Sequence, residues 1–211
     1  FWFTGSNEDN VHAWYYPPLN SHIIPPPLLV KSHSGPTGMA HSGLNLEVQF
    51  WTSRGWGVVD VNYGGSSGFG REYRDRLKGN WGVIDVFDCS KAAQSLITSG
   101  KANKDCIAII GSSASGFTAL GCLVSNDIFN IAACKYAVTD LISMANSTHR
   151  FEEFYLDYLI GNIASDYEKY IKRSPIENVN CINVPLILFH GLKDKVISSK
   201  QSIAIKDELL K

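Results

Sequence analysis

The amino-acid sequence predicts an α/β fold, with a mostly parallel sheet and helices on both of its faces. Segments of strand composition alternate with segments at helical spacing along the 211 residues. The strand candidates are apolar throughout, as in residues 107–110, rather than alternately apolar and polar. Strands that are buried on both faces are typical of a parallel sheet covered by helices. The length suits one such domain, spanning residues 1–211.

Each element in the first half of the chain has a local signal. Residues 11–16 are rich in aromatic side chains and end at Pro17, which indicates a strand. Residues 28–30 and 56–61 are short apolar runs that suit buried strands. Between these two runs, the apolar positions of residues 44–53 are compatible with a helix.

The second half of the chain continues the alternation. The apolar positions of residues 82–97 approach helical spacing, which predicts a helix. A wholly apolar strand candidate at residues 107–110 is followed by small and apolar residues at 115–123, which favour a buried helix. Two more apolar runs, at residues 131–137 and 184–189, indicate further strands.

Composition and charge exclude several classes of function. The net charge is −1, which leaves no basic field to hold nucleic acid or an anionic membrane. No apolar run reaches the ~18 residues that a membrane span needs. The five cysteines are scattered and form no Cys-x-x-Cys pair, so we expect no metal site. Their scattered positions are typical of free thiols in a reducing compartment, which predicts a cytoplasmic protein.

The segment after residues 107–110 has the features of a nucleophile elbow, a sharp turn between strand and helix that presents a catalytic serine. Gly111 stands two residues before Ser113, and the small Ser115 stands two residues after it. Gly116 keeps the following helix slim. Ser113 is therefore the candidate nucleophile, although the segment by itself is also compatible with a serine-rich turn that has no catalytic role.

Another serine fits the literal Gly-x-Ser-x-Gly pattern better. Residues 64–68 place Ser66 at its centre, but this stretch begins three residues past its strand candidate. Bulky and charged residues follow it, among them Phe69 and Arg71. A motif indicates function only in its structural context. We therefore interpret Ser66 as part of a flexible glycine loop and not as a nucleophile.

Two further strand ends carry residues suited to the same chemistry, because active groups of parallel sheets lie at the carboxyl ends of strands. A loop with Ser34 and Gly35 follows one strand, and its backbone N–H groups suit an oxyanion. Asp194 follows another strand and fits the order of a Ser-Asp-His triad. Taken alone, the loop is also compatible with an ordinary turn, and Asp194 with a surface charge between two lysines.

Together these segments resemble the prolyl oligopeptidase family of serine peptidases, in its acylaminoacyl-peptidase and dipeptidyl-peptidase-like branch. The resemblance extends over nearly the whole chain, beginning at residues 13–18 and continuing through residues 27–38. Most specific are residues 60–71, Asp-Val-Asn-Tyr-Gly-Gly-Ser-Ser-Gly-Phe-Gly-Arg, and the Gly-Asn-Trp-Gly signature at residues 79–82. Residues 190–196 complete the match.

The resemblance implies an α/β-hydrolase fold that hydrolyses peptide substrates and uses no metal or organic cofactor. It makes Ser113 the nucleophile and Asp194 the acid of the triad. It implies an oxyanion hole formed by the backbone N–H of Ala114 and by N–H groups near Ser34 and Gly35. In the full-length family members an N-terminal β-propeller restricts entry to the site, so the substrates are short peptides.

This sequence departs from the family pattern at several points. Ser34 and Ser115 stand where the branch usually has glycine. The family's histidine lies further beyond the aspartate than this sequence extends. We therefore expect a domain that is truncated at its C-terminus, before the last strand and the histidine loop, and that lacks the propeller. We expect such a chain to be nearly inactive by itself, because a triad serine without its histidine is a weak nucleophile.

The histidines that the sequence does contain are not expected to act as the general base. His33 belongs to the oxyanion loop, His190 to the turn that presents Asp194, and His149 to an expected helical segment. We expect a structural or surface role for each. Two alternatives to a peptidase stay open at this point: an esterase for small acyl substrates with the same fold, and a non-catalytic gene remnant.

Overall fold

The structure is a computed structural model that describes residues 1–147 and 154–211. Its described part contains seven strands, which form one sheet. They are β1 (Trp2–Thr4), β2 (Asn10–Tyr16), β3 (Leu28–Ser32), β4 (Gly57–Asn62), β5 (Ile107–Ser112), β6 (Ile131–Lys135) and β7 (Leu186–Phe189). The order across the sheet is β1-β2-β4-β3-β5-β6-β7. β1, β2 and β4 pair antiparallel, whereas all pairs from β4 to β7 are parallel.

Helices lie on both faces of this sheet. Within the described residues they are α1 (Leu46–Thr52), α2 (Arg71–Asp75), α3 (Ile84–Thr98), α4 (Ala114–Ser125), α5 (Leu141–Ser147), α6 (Tyr155–Leu159), α7 (Tyr167–Arg173) and α8 (Ser199–Leu209). Val48 of α1 packs on one face in a cluster with Leu29 and Ala108, while α3 and α4 bury the opposite face against Val30 and Ile109. Neighbouring residues of a strand point to opposite faces. The continuous apolar runs therefore supply two cores, and the predicted α/β-hydrolase fold class is confirmed.

The strand candidates all occur as strands, with bounds shifted by at most two residues. The sequence did not indicate β1, α2, α7 or α8. It also did not indicate that two parallel strands carry charges near their carboxyl ends, where Lys31 of β3 faces Asp60 of β4. The Lys31 ammonium lies 3.4 Å from the Asp60 carboxylate and 3.4 Å from that of Glu47 in α1. Lys31 offsets part of the cost of burying Asp60, although burial still raises the pKa of this carboxyl group.

Two further expectations from the sequence concern free cysteines and membrane-spanning segments. All five cysteines lie in the described residues and are free; Cys89, Cys122 and Cys134 are buried, and Cys181 is exposed. No helix in the described part of the chain is both long and apolar enough to cross a bilayer.

The parallel arrangement brings three loops to one edge of the sheet. The loop after β3 begins at His33, the turn after β5 contains Ser113, and the loop after β7 contains Asp194. Because β3, β5, β6 and β7 run in the same direction, their carboxyl ends meet at this edge.

A buried carboxylate at the start of α3 holds the segment that leads into this helix. Asp85 Oδ1 accepts a hydrogen bond from the Gly82 N–H at 2.6 Å, and Oδ2 accepts one from the Thr118 hydroxyl of α4 at 2.6 Å. Gly82 has φ +81°, and a Cβ at this position would lie 2.9 Å from the ring of Phe117. The carboxylate thereby fixes a turn that requires glycine and the position of the adjacent Trp81.

Burial raises the pKa of Asp85 to about 6 although both hydrogen bonds favour its charged form. A carboxyl group with a raised pKa stabilises the fold below its unfolded pKa and loses that contribution as pH rises through the folded pKa. The free energy of unfolding of Asp85→Asn, measured relative to wild type at the same pH, should therefore rise by on the order of 3 kcal/mol between pH 4 and pH 7. Urea unfolding at several pH values measures this difference. The same pH dependence in both proteins would contradict the assignment to Asp85.

Candidate active site

Ser113 occupies a strained turn between β5 and α4. Its backbone has φ 52° and ψ −121°, in a region that residues other than glycine seldom adopt. The Ser113 N–H donates to the Lys135 carbonyl at 3.1 Å, and the Ser113 carbonyl accepts from the Phe117 N–H at 3.1 Å. This strand–turn–helix geometry is that of a nucleophile elbow.

Two glycines allow α4 to start so close to the sheet. A Cβ at Gly111 would lie 2.1 Å from the Ser115 carbonyl oxygen, and one at Gly116 would lie 2.6 Å from the Ala137 Cβ. Neither position can hold a side chain without moving the helix. The sequence analysis predicts an elbow here from these small residues, and the structure has no room for larger ones.

The two serines that replace glycine both direct their hydroxyl groups to Ser112. Ser115 Oγ accepts from the Ser112 N–H at 2.8 Å and donates to the Ser112 carbonyl at 3.0 Å. Ser34 Oγ donates to the same carbonyl at 3.1 Å. Ser115 is therefore accommodated within the elbow, and Ser34 connects the loop after β3 to the residue that precedes Ser113.

The loop at residues 33–38, which is predicted from the sequence to carry oxyanion donors and is called the oxyanion loop for that reason, lies beside Ser113. Ser34 and Gly35 line the same cavity as Ser113 and Ala114. Ala114 is the first residue of α4, so its N–H has no acceptor within the helix. The Tyr63 hydroxyl donates to the Pro36 carbonyl at 2.6 Å, and that of Tyr155 donates to the Gly35 carbonyl at 3.0 Å.

A hydrogen bond connects His33, at the start of this loop, to the buried Ser66. His33 Nε2 lies 2.6 Å from the hydroxyl oxygen of Ser66, and the His33 ring stacks on Tyr63 with centroids 4.5 Å apart. Burial lowers the pKa of His33 to about 4, so the ring is neutral near pH 7. Ser66 is fully buried, and its hydroxyl donates to the Tyr63 carbonyl, which leaves its oxygen to accept from His33 Nε2–H. The sequence predicts a flexible glycine loop here, whereas the structure buries residues 64–66 as a support for the oxyanion loop.

Asp194 lies in the loop after β7, at the same edge of the sheet as Ser113. Its Oδ1 accepts from the N–H groups of Val196 at 2.9 Å and Ile197 at 3.0 Å. These bonds lower the pKa of the carboxyl group, which favours its charged form. Val196 and Ile197 line the cavity that contains Ser113. The carboxylate thus fixes a wall of that cavity.

The histidines near these residues have other partners. His190 Nδ1 lies 2.7 Å from the Ser202 hydroxyl oxygen, and Nε2 lies 2.8 Å from the Ile197 carbonyl and 3.7 Å from Asp194 Oδ2. No hydrogen bond joins Ser113 to a histidine within residues 1–147 and 154–211. His149 lies outside the described residues.

The cavity beside Ser113 has a volume of about 210 Å³. Its described lining contains no charged side chain, and most of it is apolar: Trp81, Val138, Met144, Leu156, Leu159 and Ile197. Of these six residues, the sequence analysis singles out only Trp81, as part of the Gly-Asn-Trp-Gly signature and without a role in the cavity. Tyr155, which holds Gly35, carried no signal in the sequence because its contact spans 120 residues of chain.

Comparisons with known proteins agree with this architecture. Residues 42–211 match the model of the prolyl oligopeptidase family. An acylamino-acid-releasing enzyme of Arabidopsis thaliana is 29% identical over 176 residues, which cover 80% of this chain and 23% of that protein. A crystal structure of puromycin hydrolase is 40% identical with a TM-score of 0.95, and the match covers 99% of this chain and 32% of that chain.

A second solved structure, an acylaminoacyl peptidase in complex with Z-Gly-Gly-Phe-chloromethyl ketone, is 25% identical with a TM-score of 0.90. The match covers 100% of this chain and 34% of that chain. The present chain thus spans about a quarter to a third of the length of these relatives. Because the family model matches most of the sequence, on a sheet and a serine turn of the kind that the sequence predicts, this chain belongs to the prolyl oligopeptidase family.

Proposed function

We propose that this chain is the hydrolase domain of a serine peptidase that cleaves short peptides through an acyl-enzyme on Ser113. The strained Ser113 turn carries the proposal, because it opens on a cavity that the oxyanion loop and the Asp194 loop also line. Membership of a peptidase family supports this activity over that of an esterase or of a non-catalytic remnant.

In the proposed reaction, a histidine takes the Ser113 proton while Oγ attacks the peptide carbonyl. The Ala114 N–H and N–H groups of Ser34 and Gly35 stabilise the oxyanion. The histidine then protonates the leaving amine, which departs as the C–N bond breaks, and water hydrolyses the ester that remains on Ser113. Asp194 stabilises the charged histidine, a role for which a carboxylate with a lowered pKa is suited.

The cavity beside Ser113 supports a preference for an uncharged, apolar side chain on the acyl side of the cleaved bond. Its walls offer no charged partner among the described residues, and an unpaired charge is costly to bury. The volume of about 210 Å³ is sufficient for one large side chain and too small for a folded segment.

The general base of this reaction comes from a longer protein in our proposal, because His33 and His190 are bonded elsewhere. The much greater length of the relatives supports such a protein. We propose that it also carries the N-terminal β-propeller that the family resemblance implies. The 211-residue chain by itself is then a single incomplete hydrolase domain with very low activity. The free cysteines support a cytoplasmic location.

The assignment of the nucleophile is tested with a fluorophosphonate probe on the longer protein. We expect labelling of wild type and none of Ser113→Ala, because the probe reacts only with an activated serine. Ser125→Ala, at the exposed end of α4, is the matched control and should be labelled like wild type. Labelling that persists in Ser113→Ala and disappears in Ser66→Ala would move the nucleophile to the buried glycine loop.

The role of Asp194 is tested with Asp194→Asn in the same protein. The asparagine oxygen can still accept from Val196 and Ile197, so the loop and the melting temperature should change little. The charge is lost, and with it the orientation and stabilisation of the histidine, so we expect kcat to fall by about 10⁴-fold. A kcat within tenfold of wild type would show that Asp194 is not the triad acid.

The substrate class is tested by comparing acylated peptide anilides with simple aryl esters. We expect hydrolysis of the anilides, with kcat/KM at least tenfold higher when leucine or phenylalanine precedes the cleaved bond than when aspartate or lysine does. Hydrolysis of the esters alone would identify an esterase. An equal rate for charged and apolar residues would contradict the assignment of the cavity.

A further inference from the structure

The peptide unit between Ser112 and Ser113 is held at both of its polar groups. Its carbonyl accepts hydrogen bonds from Ser34 Oγ at 3.1 Å and Ser115 Oγ at 3.0 Å. Its N–H donates to the Lys135 carbonyl of β6 at 3.1 Å. The plane of this peptide determines the φ angle of Ser113, so these contacts act directly on the strained turn.

We propose that Ser34 and Ser115 are positioning residues, whose hydroxyl groups clamp the Ser112 carbonyl and thereby couple the oxyanion loop to the nucleophile turn. The inference rests on the proposed function of Ser113. Ser34 bonds across 78 residues of sequence, from the loop that carries the oxyanion donors to the residue next to the nucleophile. Ser115 bonds within the elbow and orients the same carbonyl.

The clamp opposes a relaxation that the backbone would otherwise favour. A residue with the dihedral angles of Ser113 stores backbone strain, and rotation of the preceding peptide is one way to release it. Such a rotation would break both serine contacts and leave the Ser112 carbonyl without these donors. Two hydrogen bonds together are comparable in size to this strain.

The same contacts hold the proposed oxyanion donors at a fixed distance from Ser113. The oxyanion donors of Ser34 and Gly35 lie on one loop, whereas Ser113 lies on another. Their separation must be held closely, because misplacement of an oxyanion donor reduces stabilisation of the transition state more than binding of the substrate. The Ser34 hydroxyl is a direct link between the two, so its loss should reduce kcat and leave KM nearly unchanged.

The test uses the longer protein and the variants Ser34→Ala, Ser115→Ala and their combination. We expect each single variant to lower kcat by about three- to tenfold with KM unchanged, as for the loss of one hydrogen bond. Inhibition by a peptide aldehyde, which forms a tetrahedral adduct with the serine, should weaken by the same factor. The double variant should lose less than the product of the single losses, because both hydroxyl groups act on one carbonyl.

Two further variants separate positioning from general stability. Ser34→Thr keeps a hydroxyl group and should restore most of kcat. Ser90→Ala removes a buried hydroxyl that donates to the Val86 carbonyl at 3.0 Å within α3, away from the cavity. It should lower the melting temperature and leave kcat at the wild-type value. Should Ser115→Ala fail to fold, Ser34→Ala and Ser34→Gly decide the question, since both lack the hydroxyl and should lose kcat equally.

The outcomes distinguish this inference from the proposed function. An active wild type with an inert Ser113→Ala, together with a Ser34→Ala kcat within twofold of wild type, would overturn the clamp and leave the peptidase assignment intact. A rise in KM with unchanged kcat would also overturn it. A wild type without activity would overturn the proposed function and this inference together.

Discussion

The close packing of α4 against the end of β5 is the constraint on which the rest of the site depends. The helix can begin at Ala114 only because Gly111 and Gly116 present no Cβ to Ser115 and Ala137. This contact leaves the chain no room for a relaxed turn, and Ser113 takes up a left-handed φ as a result. The free energy that maintains the strain comes from the packing of α4, where Phe117 and Leu120 are fully buried.

Buried polar groups beneath the oxyanion loop provide a second level of support. His33, Ser66 and Tyr63 form one hydrogen-bonded group in which Ser66 and Tyr63 are fully buried, and the Tyr63 hydroxyl extends the contacts to Pro36. A polar group that lost its partner there would cost about 1–3 kcal/mol. The network therefore favours one conformation of the loop. The glycine before Ser66 is required by a different contact, because a Cβ at Gly65 would lie 2.5 Å from Leu77.

Charge is distributed unevenly around the cavity. Apolar side chains form most of its described walls, while the Asp194 carboxylate accepts hydrogen bonds from the backbone N–H groups of Val196 and Ile197, two of the lining residues. Asp85 is buried in the core and positions Trp81 through its hydrogen bond to the N–H of the adjacent Gly82. Both carboxylates thus act on the cavity through backbone hydrogen bonds, which explains how a charged residue shapes a site that it does not line.

The sequence alone determined the α/β class, the main strands and the Ser113 turn, because these depend on local composition and short-range spacing, and its motifs resembled those of the family that the comparisons show. It could not show that Ser66 is buried, that Tyr155 holds Gly35 or that Asp85 fixes the Gly82 turn. Only the tertiary structure decided these features, and it also decided that Ser34 and Ser115 share one carbonyl. The physical reason is that the direction of a hydroxyl or carboxylate depends on partners from other strands and helices, which the order of residues along the chain does not specify.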